Sequence, residues 1–123
     1  MSPGLVPRVA VARSTPPRAI RATAVLFAFG SILTLIDAAL THQLLREPGM
    51  TERWLPVRML MDRLGVDVAL AVCSVVAVGG LAVVAWGAVR ARPPLAGAAF
   101  VVLCIAVGAR VCGCANNFGV MLG

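Results

Sequence analysis

Three long apolar blocks, separated by short polar stretches, dominate the pattern of this chain. They run over residues 22–45, 66–89 and 95–117, and each exceeds the roughly 18 residues at which an apolar run reads as a membrane-spanning helix. The first block is also too long for the apolar region of a secretory signal, about 7–15 residues, so it reads as a retained anchor. The polar stretch between the first two blocks has its own order. Pro48-Gly49 marks a turn. Pro56 suits the first turn of a helix, where its missing N–H costs little. Val57, Leu60, Met61 and Leu64 then follow at helical spacing, with Arg58 and Asp62 on another face. This predicts a short amphipathic helix over 56–64, lying at the membrane surface with Trp54 as its anchor.

The remaining segments are brief. Arg90, Arg92, Pro93 and Pro94 make a tight turn before the third block. Pro3, Pro7, Pro16 and Pro17 punctuate residues 1–21, which read as a mostly disordered basic tail. The last six residues, FGVMLG, are expected to stay at the membrane surface or pack under the bundle. The expected architecture is therefore an all-α membrane protein. A three-helix transmembrane domain occupies 22–123, with an interfacial helix between its first and second spans.

Composition agrees with the pattern. Hydrophobic residues make up 60% of the 123 and charged residues 13%, about half the charged share of an ordinary soluble domain. All eleven basic residues are arginine, and the formal net charge is +6. Such a balance can signal nucleic acid, but here all except Arg110 lie outside or between the apolar blocks, where they orient a membrane protein instead. Arg8, Arg13, Arg18 and Arg21 precede the first span, and Arg90 and Arg92 follow the second. Arg46, Arg53, Arg58 and Arg63 occupy the first loop, so the tally is six to four for an N-terminus inside and a C-terminus outside. The expected location is a prokaryotic cytoplasmic membrane. Cys73, Cys104, Cys112 and Cys114 fall within apolar blocks and read as small hydrophobic thiols rather than as a disulfide framework.

Two ionisable residues interrupt the spans. Asp37 lies deep in the first block and Arg110 in the third. A charge in hydrocarbon is costly, so each is expected to face protein, a partner or water. Asp37 is sixteen residues beyond Arg21, and Arg110 is sixteen beyond Pro94. At 1.5 Å per residue both reach about 24 Å from the same side. Equal depth suggests a buried Asp37–Arg110 pair. The alternative is that Arg110 snorkels to the headgroups while Asp37 bonds within its own helix. Thr41 is one turn beyond Asp37. His42, Asp67, Asn116 and Asn117 lie nearer the outer surface. Asp37, Thr41, His42, Arg110, Asn116 and Asn117 thus form a candidate polar cluster. It reads either as a small binding or docking site, or as ordinary helix–helix hydrogen bonding.

Small residues recur every four positions, at Cys104, Gly108 and Cys112 in the third block and at Ala69, Cys73 and Ala77 in the second. Such rows allow close helix approach, as does Gly79-Gly80. The chemistry-bearing motifs are not there. Cys112 and Cys114 project about 200° apart on a helix, which does not suit one metal ion. A single histidine cannot supply two axial haem ligands. No phosphate-binding loop, zinc-protease helix or nucleophile elbow occurs. No catalytic, cofactor-binding or metal residue is expected.

With Asp37-Ala38-Ala39-Leu40-Thr41 in the first span and an asparagine near the end of the last, the chain resembles a family of small uncharacterised prokaryotic multi-pass membrane proteins with an Asp-x-x-x-Thr motif in the first transmembrane helix. The resemblance extends over about residues 22–120. In that family a loop with Glu and then Asn-Pro follows. Glu52-Arg53-Trp54-Leu55-Pro56 stands there in this chain, with Leu55 where Asn is expected, and a basic residue of the second helix is missing. The resemblance implies the membrane fold and draws attention to Asp37, Thr41 and Asn116 or Asn117. It implies no activity. The function expected is a non-enzymatic structural or accessory subunit of a membrane assembly, its partners being the lipid bilayer and further copies of the chain or larger membrane subunits. A small oligomeric transporter, channel or substrate-binding module is the alternative.

Overall fold

The computed structural model describes residues 16–123, and the expected tail lies outside the described residues as far as residue 15. Four helices follow in order: α1 Pro17–Leu44, α2 Leu55–Leu64, α3 Val66–Arg90 and α4 Leu95–Leu122. α1, α3 and α4 are each long and apolar enough to cross a membrane. At 25 to 28 residues they extend about 37–42 Å, beyond a hydrocarbon core of about 30 Å. The chain is a multi-pass membrane protein.

Helix ends follow local chemistry. α1 starts at Pro17, within the segment expected to be tail, because proline at a first helical position loses no bond it would otherwise make. Pro48 and Gly49 prevent its continuation beyond Leu44, and Gly49 takes a left-handed φ of 83°. Pro56 sits in the first turn of α2. Gly65, at φ 84°, both ends α2 and precedes α3, turning the chain within one residue. Pro93 and Pro94 separate α3 from α4.

α4 departs from expectation at its far end. Phe118 to Leu122 continue the helix instead of forming a separate surface tail. No proline interrupts them, and Asn117, immediately before, is held by bonds to α1.

α1 packs against both α3 and α4, α3 packs against α4, and α2 packs against α3 alone. The central packing is Leu81 of α3 with Leu103 and Val107 of α4. Leu26, Phe27 and Leu33 of α1 lie against them. Gly30 makes this possible. A Cβ there would come 2.9 Å from Val107 Cγ2 and 3.1 Å from Leu81 Cδ1, so only a residue without a side chain fits. The close approach expected at Gly79-Gly80 does not occur within the chain, where both face open space. Of the two small-residue rows, Ala69, Cys73 and Ala77 turn inward, while Cys104 and Cys112 are exposed and Gly108 has no neighbour.

The outside is apolar. Phe29, Ile32 and Leu35 on α1, Val75 and Val83 on α3, and Ile105 on α4 are all largely exposed. On a soluble monomer so continuous an apolar surface would be a liability. Along spanning helices it is the surface that lipid chains cover.

α2 carries the expected amphipathic face in part. Met61 is buried, Val57 and Leu60 are half-buried, and Arg58 and Asp62 face out. Leu64, expected on the same face, is exposed, as is Trp54.

Candidate functional site

One face of α1 reads Thr23, Gly30, Thr34, Asp37 and Thr41, a helical series of small or polar residues turned toward the other spans. Its hydroxyls are satisfied locally at the proline-turn end of the bundle. Thr23 Oγ1 donates to Ala19 O at 2.8 Å, and Thr34 Oγ1 donates to Gly30 O at 2.8 Å. Such back-bonding closes a hydroxyl's needs without a partner helix. From Leu33 onward, toward α2, bonds also cross between helices.

Asn117 Nδ2 donates to Asp37 Oδ1 at 2.8 Å and reaches Thr41 Oγ1 at 3.3 Å. The Arg110 guanidinium approaches the other carboxylate oxygen, with Nη1 3.7 Å from Asp37 Oδ2. That is ion-pair range but too long for a hydrogen bond. Among the described residues no other acceptor lies within hydrogen-bond reach of Arg110. Cys114 adds a further cross-link, its Sγ donating to Leu33 O at 3.3 Å. Gly113 lies beside the same carboxylate, where a Cβ would make an ordinary contact 3.7 Å from Asp37 Oδ1.

The six candidate residues divide three ways. Asp37, Thr41, Arg110 and Asn117 converge at one level. His42 turns instead to α3, its Nε2 2.7 Å from Asp67 Oδ1. A carboxylate only accepts, so Nε2 carries the proton. Asn116 is exposed and bonds to none of the others. Two contributors escaped the sequence reading of this cluster. Cys114 could have been found from spacing, because Leu103, Val107, Arg110, Cys114 and Asn117 recur at four- and three-residue intervals on one α4 face. Glu52 could not, because its position depends on the fold of the α1–α2 loop.

Beside this cluster lies a partly open cavity of about 830 Å³. Asp37, Thr41, Arg110 and Asn117 form its polar wall. Leu70, Cys73 and Ala77 of α3 and Val57 and Leu60 of α2 form an apolar one. Glu52, Arg53 and Trp54 close the side toward the loop. Glu52 Oε1 accepts the Trp54 backbone N–H at 3.0 Å, which holds the carboxylate in place.

The level of the site follows from helix geometry. His42 is five residues beyond Asp37 on α1, so the His42–Asp67 contact lies about 7–8 Å nearer the α2 surface. The cavity is thus a recess with one polar wall, reaching below that surface and ending above the packed Leu81–Leu103–Val107 layer. The four cysteines are free thiols. Among the described residues no group of three His, Cys, Asp or Glu converges to hold a metal ion. No family model, curated protein or solved structure matches the chain.

Proposed function

We propose that this protein is a non-enzymatic accessory subunit of a membrane assembly, in which the Asp37–Asn117–Arg110 level joins α1 to α4. The observation that carries the reading is the one-sidedness of the polarity. The recess stops at an apolar layer of Leu81, Leu103 and Val107 packed against Gly30, so a single chain offers no polar route across. The bundle also leaves a small-residue row, Cys104, Gly108 and Cys112, turned outward on α4. Such rows let a neighbouring helix approach closely, whether from another copy or from a larger subunit.

The orientation that fits is N-terminus inside and C-terminus outside in a prokaryotic cytoplasmic membrane. What supports it is the charge asymmetry. Six arginines flank the proposed inner ends of the spans, Arg8, Arg13, Arg18, Arg21, Arg90 and Arg92, against Arg46, Arg53, Arg58 and Arg63 in the first loop. A periplasm-dependent reporter fused after Gly123 should be active, and the same reporter placed in the Arg92 turn should be silent. The opposite pattern would reverse the orientation. The resemblance to small prokaryotic proteins with an Asp-x-x-x-Thr motif belongs to the same reading.

The cavity favours a second reading, a small oligomeric transporter or substrate-binding module. Native mass determination after gentle extraction separates the two. A defined mass that includes larger, different chains supports the accessory role. A pure homo-oligomer would replace it with the second reading.

A further inference from the structure

We propose that the cavity beneath α2 binds a compact zwitterion, with an oxyanion on Arg110 and an ammonium toward Glu52. The inference goes beyond the accessory role and does not depend on it. Four observations lead to it. First, the lining is charged but balanced, with Asp37 and Glu52 against Arg110 and Arg53. A site of this kind has no net charge to offer an ion, which suits a ligand that is neutral overall and charged at two ends.

Second, the donors and acceptors facing the space are incompletely used. Arg110 presents a planar guanidinium whose nearest acceptor, Asp37 Oδ2, is 3.7 Å away. A guanidinium is built to hold a carboxylate or phosphate through paired N–H bonds. Glu52 spends Oε1 on the Trp54 N–H, and Oε2 has no hydrogen-bond partner among the described residues. That oxygen can accept from an ammonium.

Third, two polar side chains near the space are already engaged. Asn117 is committed to Asp37 and Thr41, and His42 to Asp67. They shape the wall rather than bind the ligand. Fourth, the volume of about 830 Å³ falls in the range of roughly 300–1,000 Å³ typical of small-molecule sites. The apolar wall of Leu70, Cys73 and Leu60 leaves room for hydrocarbon beside the head. The same head chemistry can therefore arrive as a free solute or on a lipid.

The test uses the full chain, with glycerophosphoethanolamine, a neutral phosphodiester zwitterion, as the soluble probe in maltoside micelles and phosphatidylethanolamine as the lipid probe in nanodiscs. Calorimetry should show glycerophosphoethanolamine binding roughly tenfold more tightly than inorganic phosphate or ethanolamine alone, since each lacks one charge-assisted contact. Arg110→Gln should abolish binding. Glu52→Gln lies in the loop, outside the helix packing. It should leave the melting temperature unchanged and erase the preference over phosphate. If the lipid is the natural source, the soluble probe will bind weakly or not at all. Native mass spectrometry will then show phosphatidylethanolamine retained over phosphatidylcholine, whose quaternary amine cannot donate to Glu52, and over phosphatidylglycerol, with the same response to both variants. The proposal is overturned if phosphate or phosphatidylglycerol binds as well as the zwitterion, if Glu52→Gln changes nothing, or if the folded protein binds neither probe. The accessory role is tested separately, by the native mass.

Discussion

Asn117 on α4 donates to the Asp37 carboxylate on α1 across 2.8 Å, and the same amide reaches Thr41 one turn further along. One side chain thus ties two turns of α1 to the far end of α4. Interhelical hydrogen bonds in membranes contribute about 0.6 kcal/mol on average and up to about 2. Asn117→Leu is therefore expected to destabilise the bundle by about 1–2 kcal/mol, because it also leaves Asp37 short of a donor. Asn117→Asp should cost more, since it sets a second carboxylate against the first. Denaturant titration in mixed micelles reads both. Equal stability of Asn117→Asp and the parent would show that the contact does not hold the helices.

The Asp37–Arg110 contact makes a different prediction. At 3.7 Å, with side-chain exposures of 25% and 37%, it is a loose pair on a cavity wall. Its coupling should be modest, about 1 kcal/mol, well below that of a buried bidentate pair. Asp37→Asn and Arg110→Gln should each lower stability. The double variant should cost less than the sum of the two, and an exchange of the charges should recover part of the loss. A double-mutant cycle with no coupling would mean that the two groups answer to water and lipid rather than to each other.

The His42–Asp67 contact is shorter, at 2.7 Å, yet the Asp67 side chain is 84% exposed. Distance and exposure compete here, and exposure wins, because water and salt screen a surface pair. His42→Gln should shift stability by less than about 1 kcal/mol, and the small effect should shrink further in high salt. A loss as large as that of Asn117→Leu would mean that this level is shielded from water in the bilayer.

Much of the architecture was legible in the sequence because it rests on length and periodicity. Runs of apolar residues set the three spans, and Pro56 with the Val57, Leu60 and Met61 spacing set α2. The matched depth of Asp37 and Arg110 followed from rise per residue, and the structure brings them within 3.7 Å. Rotation was harder to read. In a helix that is apolar all round, the inward face is not marked by hydrophobicity, so the polar and small residues must mark it. Asn116 and Asn117 are adjacent, yet only Asn117 faces α1. The row of Cys104, Gly108 and Cys112 resembles a packing seam as strongly as Ala69, Cys73 and Ala77 does, but it points away from the bundle. The position of Glu52 depends on the path of a loop, which no periodicity encodes.

The glycines put that distinction to the test, because residue type alone cannot tell a contact glycine from an open one. Gly30 and Gly80 both lie inside spanning helices. A methyl group on Gly30 would meet Val107 at 2.9 Å and Leu81 at 3.1 Å, whereas one on Gly80 meets nothing within 4 Å. Val107 is branched at Cβ and cannot swing aside freely, so the helices must separate. Gly30→Ala should therefore destabilise by about 1–3 kcal/mol, the usual cost of overpacking. Gly80→Ala should be neutral in an isolated chain or slightly stabilising, because alanine is the better helix former. Thermal melting of the two variants in micelles compares them directly. If Gly80→Ala proves as damaging as Gly30→Ala in the native membrane but harmless in the purified monomer, its open face is covered by another helix in the assembly.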